Sequence, residues 1–369
     1  MRSLIVILSA AAIATPAAAQ QSGLLLGVAS DSGYRTLWIA PVDGKLVVAA
    51  NQRGLIVPRA DGFHHLGVVR WCSMDSGGQM PGGPFYDAAD MLLDLPVGRP
   101  PTHPDSAHVE CATADSIVRQ VHDSLDQASR TALAAATTRE DSSALEVYDP
   151  ESYQCYSREL HVTHAGPRYL SVFYEEGAGE NCEAGRESWS AQRSTTKDDQ
   201  EADLTALLTK AQARRITTIW EKEKGECALE NAPADNWGIV RALGRWEFAF
   251  TTSGATACAG RSGNEEAGFS IKEAVPATVA RRDASAKWLP MAKRLFGAVD
   301  DIFTSPANDV VIIRSGSRLL AFIPHGSALG DVRLELALPA SATVVMTEWA
   351  TGRHVDEWTR QLKALHEQW

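Results

Sequence analysis

Short apolar runs alternate with turn residues over the first part of the chain. Five apolar or alternating segments lie between residues 23 and 71, and turn residues such as Asp43-Gly44 separate them. Alternating runs bounded by Asp and Gly are typical of antiparallel strands joined by tight turns. We therefore predict a β-rich unit over residues 20–72.

The segment that follows lacks this alternation. Residues 73–105 are rich in Gly and Pro, with Gly77-Gly78 and Pro100-Pro101 among the breaks. Because Gly and Pro interrupt regular backbone structure, this segment is predicted to be a loop or linker. One helical turn fits within it over residues 88–93.

Helical spacing of apolar residues appears in four places. The predicted helices cover residues 114–136, 198–222, 283–299 and the C-terminal end of the chain. Pro290 indicates that the third helix starts late or is kinked. The last helix carries an apolar stripe of Trp358, Leu362, Leu365 and Trp369. Burial of each large side chain contributes about 2–3 kcal/mol, so we expect this helix to pack on the body of the protein.

The remaining patterned segments predict strands. They cover residues 145–147, 153–163, 168–174, 269–271, a hairpin over 237–250 and four stretches between residues 310 and 346. This order of strands and helices predicts an α+β fold, with antiparallel sheets and a few packed amphipathic helices. The predicted organisation is an α+β unit over 106–230 and a C-terminal α+β unit over 231–369.

A partial β-propeller is the alternative architecture. Residues 41–58 and 306–324 each read as Pro, a turn, a strand, a second turn, a strand and Pro. Both segments resemble the hairpins of β-propeller blades. A complete propeller needs many such repeats, and helical patterns lie where further blades would be required. The pattern therefore favours the α+β fold.

The first residues have the pattern of a cleavable export signal. Arg2 supplies a positive charge, an apolar run follows, and Ala17-Ala18-Ala19 provides the small side chains that a signal peptidase requires. The apolar run is shorter than the about 20 residues of a membrane span. We predict a signal peptide over residues 1–19 and a mature chain that starts at Gln20. The protein is then periplasmic or secreted, with no membrane insertion after cleavage.

The net charge of −11 restricts the kinds of molecule that the protein is expected to bind. Proteins that bind nucleic acid carry basic patches, and helices that lie on anionic lipid carry a basic face. This chain has neither pattern. Nucleic acid is therefore excluded as a partner.

The cysteines suit an oxidising compartment. They are Cys72, Cys111, Cys155, Cys182, Cys227 and Cys258. Six cysteines allow fifteen connectivities. Pairing of sequence neighbours predicts the disulfides Cys72–Cys111, Cys155–Cys182 and Cys227–Cys258. No Cys-x-x-Cys motif is present, and no metal site is predicted.

Motifs of known catalytic sites are few. Ser194 and Lys197 have the spacing found in penicillin-recognising enzymes, but the surroundings are polar and no Lys-Thr-Gly motif follows. His161 and His164 lie three residues apart on a predicted strand, where side chains point to opposite faces, so they are poor co-ligands for a metal. We predict no catalytic residue and no cofactor.

Tryptophan provides the one candidate for ligand contact. Most of the ten tryptophans lie on apolar stripes or next to apolar strands. Trp189 instead lies in a polar stretch that follows Cys182. Because an exposed indole stacks on sugars or peptides, Trp189 is the predicted contact residue.

Together these observations predict an exported soluble protein whose activity no motif defines. The favoured interpretation is a non-catalytic binding or structural protein of the cell envelope, with an envelope protein or a glycan as its ligand. The alternative is an extracytoplasmic hydrolase whose site is assembled from residues distant in the sequence. A convergent nucleophile, base and oxyanion donor would favour the hydrolase.

Overall fold

Four β-sheets form the framework of the protein. The computed structural model describes residues 21–74, 86–97, 155–179, 184–193, 200–201, 203–223, 237–250, 269–281, 283 and 287–366. These residues contain eighteen strands and four helices. The predicted signal peptide over 1–19 lies outside them.

Sheet A joins the two ends of the described chain. It consists of β1 (Ser22–Ser30), β2 (Gly33–Val42), β3 (Lys45–Arg53) and β18 (Thr343–Thr351), in the order β18-β1-β2-β3. β1 pairs antiparallel with β18, with Ser22 opposite Thr351 at one end and Ala29 opposite Thr343 at the other. The first and last strands therefore lie side by side.

Sheet B is the largest sheet. It consists of β4 (Leu55–Arg59), β5 (Gly62–Met74), β6 (Tyr86–Pro96), β7 (Cys155–Ala165), β8 (Tyr169–Gly179), β9 (Ala184–Arg193) and β10 (Gln200–Glu201), in the order β10-β9-β8-β7-β6-β5-β4. Its β6–β7 pair is parallel. The other described pairs of this sheet are antiparallel.

Sheets C and D are smaller antiparallel meanders. Sheet C consists of β11 (Trp237–Ala242), β12 (Arg245–Phe250) and β13 (Phe269–Ala274). Sheet D consists of β14 (Asp301–Thr304), β15 (Val311–Ser315), β16 (Arg318–Phe322) and β17 (Val332–Ala337). In both sheets, each strand pairs with its neighbour in sequence, and the predicted hairpin over 237–250 is confirmed.

The helices are short. They are α1 (Leu204–Leu207), α2 (Lys210–Glu223), α3 (Leu289–Phe296) and α4 (Arg353–His366). Thr209 and Gln212 form a capping box before α2, because the Gln212 backbone N–H donates to Thr209 Oγ1 and the Thr209 N–H donates to Gln212 Oε1. α3 starts late, with Pro290 in its first turn, as its sequence indicated.

The predicted α+β fold is wrong. The described chain is mostly antiparallel sheet, and its longest helices have 14 residues. One reason is that residues 73–105, predicted as a loop, contain β6, which pairs with β5 along its whole length. Because Gly and Pro residues flank it, the apolar run around Leu92-Leu93 was not recognised as a strand. The predicted helix over 114–136 lies outside the described residues.

A propeller is not confirmed either. The two hairpins that resemble propeller blades belong to different arrangements. The first contributes β3 to sheet A and β4 to sheet B, whereas the second forms β15 and β16 within sheet D. The sheets also differ in size, with three, four, four and seven strands. The similarity of the two segments therefore reflects shared turn chemistry.

Both faces of sheet A are buried. Leu25 and its cross-strand partner Trp38 lie in one core cluster, together with side chains of sheet B and α4. Leu26 and its partner Leu37 lie in a second cluster with side chains of sheet D. Alternate residues of a strand point to opposite faces, so sheet A forms the centre of the protein.

The C-terminal helix packs on sheet A, as its apolar stripe predicted. Leu362 and Leu365 of α4 are buried in the cluster that contains Trp38. The Trp38 indole N–H donates to Thr359 Oγ1 at 2.9 Å, and Gln52 Nε2 donates to the Leu362 carbonyl at 3.2 Å. Both bonds fix the helix to its sheet.

None of the helices in the described part of the chain combines the length and apolar character needed to cross a membrane.

Candidate functional site

A network of buried charges connects sheets C and D. Arg241 of β11 donates from Nε to Asp301 Oδ2 at 2.8 Å and from Nη2 to Asp301 Oδ1 at 3.2 Å. Its Nη2 also lies 2.6 Å from Asp283 Oδ2. The side chains of Arg241, Asp283 and Asp301 are only 6%, 1% and 5% exposed. One guanidinium is thus shared by two carboxylates out of contact with water.

Sheet geometry places the arginine in this position. Arg241 lies opposite Trp246 in the β11–β12 hairpin, and its guanidinium lies over the Trp246 ring, 5.1 Å from the ring centre. The Phe303 ring of β14 lies on it as well, at 4.7 Å. Both contacts are within the range of cation–π attraction. The aromatic rings shield the charge while the carboxylates balance it.

Asp301 also fixes two backbone segments. Its Oδ1 accepts hydrogen bonds from the backbone N–H of Gly244 in the β11–β12 turn and from its own neighbour Ile302, both at 2.8 Å. One carboxylate therefore holds the turn of sheet C against the first strand of sheet D.

The pKa values of Arg241 and Asp283 are both raised, for different reasons. Burial lowers the pKa of Arg241, but the charges of Asp301 and Asp283 outweigh it and raise the pKa above the usual value. For Asp283, burial raises the pKa even though Arg241 acts in the opposite direction.

A buried histidine of sheet B lies beside this network. His164 of β7 packs edge-to-face on Trp246, with 4.4 Å between the ring centres. Burial, together with the positive charges of Arg241 and Arg59, lowers the pKa of His164 to about 3. The imidazole is therefore neutral at physiological pH.

Space around His164 is narrow. A side-chain carbon at Gly166 would lie 2.8 Å from His164 Nε2. Such a contact is too short for atoms that are not bonded, so a side chain at this position would require His164 to shift. The Gly166 carbonyl accepts a hydrogen bond from Arg59 Nη1 at 2.6 Å, which brings a strand of sheet B, β4, to the same point.

Glu348 of β18 adds a group from sheet A. Its side chain is partly buried. Burial and the charge of Asp283 raise the pKa of Glu348 to about 8, although Arg281 and Arg59 act against this shift. Glu348 therefore carries a proton at neutral pH.

We name these five residues the buried charge cluster: His164, Arg241, Asp283, Asp301 and Glu348. Four of them come from the four different sheets, and Asp283 comes from the segment before α3. Chemically the cluster can hold the sheets together, and at Glu348 it can supply a proton.

A second group of polar side chains lies on the surface of sheet B. Glu159 and His161 are two residues apart on β7, and Glu175 of β8 lies directly opposite Glu159. His161 Nε2 lies 3.8 Å from Glu175 Oε1 and 4.0 Å from Glu159 Oε2. All three side chains are about half exposed. We name this group the exposed triad.

The exposed triad has the composition of a metal site. One ligand atom from each residue lies within 4.8 Å of the other two. Imidazole nitrogen and carboxylate oxygen are both zinc ligands. Among the residues that the structure describes, this is the one group of three such side chains found so close together.

The prediction that His161 and His164 point to opposite faces of their strand is wrong. The register of β7 against β8 shifts between Val162, which lies opposite Val172, and His164, which lies opposite Ser171. This bulge takes up one residue, so His161 and His164 lie on the same face of sheet B. They still do not meet, because Trp246 covers His164 and leaves His161 exposed.

The other predicted site residues are placed only in part. Trp189 lies on β9 with its backbone opposite Phe173 of β8, next to the strand that carries Glu175. Its contact role stays a prediction. Ser194 and Lys197 lie outside the described residues.

The three predicted disulfides also stay predictions. Cys111, Cys182, Cys227 and Cys258 lie outside the described residues. Cys72 lies on β5 and Cys155 on β7, with β6 between them.

Sequence reasoning missed the partners in both groups. Glu159 and His161 at alternate positions of a strand were a usable signal, because both strands of the β7–β8 hairpin were recognisable. The register that adds Glu175 was not. Nothing in the sequence indicated the contact among Arg241, Asp283 and Asp301, because these residues are far apart in the sequence and each looks like an ordinary surface charge.

Comparison with known proteins adds no identification. The chain matches no protein-family model and no curated protein sequence. Its function is therefore argued from its own residues.

Proposed function

We propose that this chain is an exported, non-catalytic binding or structural protein of the cell envelope. The observation that carries the proposal is the pairing inside the buried charge cluster. Arg241 directs Nε and Nη2 at Asp283, Asp301 and the Ile302 carbonyl. A catalytic cation directs its donors at the charge that develops on a substrate, whereas these donors serve cohesion between sheets C and D.

The rest of the framework supports a binding role. β7 and β8 form an antiparallel pair that is in regular register up to Val162, and its inner face carries Leu160 and Val162 in the core. Polar side chains on the outer face are thus presented on a backbone that does not need to rearrange. An envelope protein or a glycan is the proposed ligand class, and the signal pattern over residues 1–19 supports the location.

Export is tested by the chemistry of the N terminus. We expect the protein isolated from its native envelope fraction to start at Gln20. N-terminal sequencing measures this directly. Recovery of the intact Met1 terminus from that fraction contradicts the proposed processing, and recovery from the cytoplasm alone contradicts export.

Binding is tested with the mature protein and one matched variant. Wild-type protein and a Glu159→Gln/His161→Ala/Glu175→Gln variant are crosslinked to the envelope fraction, and the captured partner is then purified and titrated. The control carries Arg318→Ala and Glu335→Gln, which removes an exposed pair from sheet D. Saturable affinity for the purified partner, in the wild type and in the control, supports binding. Turnover of the captured partner contradicts the non-catalytic role.

A hydrolase is the second candidate, and one observation favours it. The pKa of Glu348 is raised to about 8, and a carboxyl group that keeps its proton at neutral pH can act as a general acid. The test is a panel of ester, peptide and glycoside substrates. Hydrolysis by wild type that is lost in Glu348→Gln, with unchanged thermal unfolding, supports the hydrolase and overturns the first proposal.

A further inference from the structure

The exposed triad combines a nitrogen ligand with two oxygen ligands on a fixed piece of sheet. Glu159 and Glu175 lie opposite each other in the β7–β8 ladder, and His161 is two residues from Glu159 on the same side. Directly opposite residues and residues two apart share a face of a sheet. The backbone thus aims three ligands into one space.

Packing on the other face keeps this arrangement in place. Leu160 and Val162 flank His161 in sequence and are buried in the core cluster. A slip of β7 by one residue would expose both of these apolar side chains to water, so the core fixes the register. The outward direction of Glu159 and His161 therefore follows from the core and does not depend on a ligand.

The distances suit a small cation after a modest rotation of side chains. Zinc binds nitrogen and oxygen ligands at about 2.0–2.2 Å in a tetrahedron, which puts ligand atoms about 3.3 Å apart. In the triad His161 Nε2 lies 3.8 and 4.0 Å from the two carboxylate oxygens. Exposed glutamate side chains cover this difference by rotation about their own bonds.

We propose that Glu159, His161 and Glu175 form a binding site for a divalent transition-metal ion, of which Zn²⁺ is the probe. The imidazole distinguishes this group from a surface patch of acids, because magnesium and calcium sites use oxygen ligands, whereas imidazole suits zinc, copper and nickel. Three protein ligands leave a fourth position of the tetrahedron for water or for a group on a partner. The site goes beyond the proposed function, since it is compatible with a binder and with a hydrolase.

The experiment is a Zn²⁺ titration of metal-free mature protein by calorimetry, with a purification tag that contains no histidines. We expect saturable binding of one ion at this site in the wild type. His161→Ala and Glu175→Gln each remove one ligand, and each is expected to weaken the affinity of this site at least tenfold. Co²⁺ absorption in the visible range gives a second readout of the coordination geometry.

A matched control separates the site from ordinary surface binding. His354 and Glu357 on α4 form an exposed pair of the same residue types, 3.2 Å apart, and no third His, Cys, Asp or Glu among the described residues lies close enough to complete a site with them. His354→Ala is expected to leave the affinity unchanged. The proposal is overturned by affinity that His161→Ala leaves intact, by equal losses in His161→Ala and His354→Ala, or by no saturable binding in the wild type.

Discussion

Two histidines on the same strand and the same face of sheet B have opposite surroundings. His161 is 48% exposed, with two glutamates at about 4 Å. His164 is 2% exposed, lies against Trp246 and has a pKa lowered to about 3. The difference is the cover that sheet C provides. Trp246 of β12 lies against His164, whereas His161 stays about half exposed.

The comparison shows how burial decides what charged side chains can do. Within the buried charge cluster the charged side chains of Arg241, Asp283 and Asp301 bind one another, because attraction is strong where water is excluded and an unpaired charge is costly there. In the exposed triad the contacts are longer and water screens them. Removal of one partner from the first group is therefore expected to destabilise the fold, whereas the second group lies at the surface.

The strongest test of this comparison removes the shared cation. Arg241→Met leaves Asp283 and Asp301 buried without a positive charge. Breaking a buried pair in this way destabilises proteins by about 3–5 kcal/mol. We expect a loss of this size in the free energy of unfolding, measured by urea denaturation.

The control for this variant is an exposed ion pair. Arg318→Met breaks the pair with Glu335, in which both side chains are more than half exposed, and no measurable change in the urea midpoint is expected. Adding Asp283→Asn and Asp301→Asn to Arg241→Met should recover part of the loss, because the buried charges are then gone. Equal midpoints for Arg241→Met and Arg318→Met would contradict the role assigned to the cluster.

The space around the buried histidine provides the second test. In Gly166→Ala the new methyl group would lie 2.8 Å from His164 Nε2, whereas in Gly67→Ala the nearest side-chain atoms, those of His65, are 3.8 Å away. Overpacking costs about 1–3 kcal/mol. We expect a loss in this range for Gly166→Ala and a clearly smaller one for Gly67→Ala, and a reversed order would show that His164 can move aside.

The third test uses pH. Glu348 has a pKa of about 8 in the folded protein against an ordinary value of 4.5. The folded state therefore holds more protons between these values, and stability falls as the pH rises through them. His164 has the opposite sign, since its pKa of about 3 lies below the ordinary 6.5. Its contribution is complete above pH 6.5 and is lost as the pH falls towards 3.

The window between pH 6.5 and 8 thus separates the effect of Glu348 from that of His164. Across it we expect the free energy of unfolding to decrease by up to about 1.4 kcal/mol per pH unit. Glu348→Gln has no proton to lose and should give a flatter curve. Urea denaturation at several pH values in this window measures both slopes, and parallel slopes for the two proteins would rule out Glu348 as the cause.

The smallest effect is expected at the exposed triad. In the absence of metal, His161→Ala should change the free energy of unfolding by no more than about 0.5 kcal/mol, as is usual for surface substitutions. Thermal unfolding of metal-free protein is the measurement. A large loss would mean that the triad supports the fold, and the contrast with His164 would disappear.

Local features of the fold could be predicted from the sequence, and distant pairings could not. Alternation and turn residues such as Asp43-Gly44 predicted the hairpins, and the apolar stripe predicted the packing of α4. The membership of each strand in a sheet depends on contacts between distant segments. No local pattern indicates that β1 pairs with β18 or that β6 pairs in parallel with β7.

The site was less predictable than the fold for the same reason. A single bulge after Val162 reverses the face on which His164 lies, and nothing in the sequence marks that bulge. Glu175 joins His161 only through the strand register. From the sequence, His161 and His164 were therefore considered as metal ligands but neither glutamate of the exposed triad was, and nothing indicated the ion pairs around Arg241.

The pairing of β1 with β18 also sets an order of events in the assembly of the molecule. Ser22 meets Thr351, so sheet A cannot close until nearly the whole chain has been synthesised. Folds dominated by such distant pairings form slowly. β1, which carries Leu24, Leu25 and Leu26, pairs early with β2 and waits for β18, and during that time its second edge is open to pairing with other chains. Protection of this edge during synthesis therefore matters more for β1 than for strands that pair only with their neighbours in sequence.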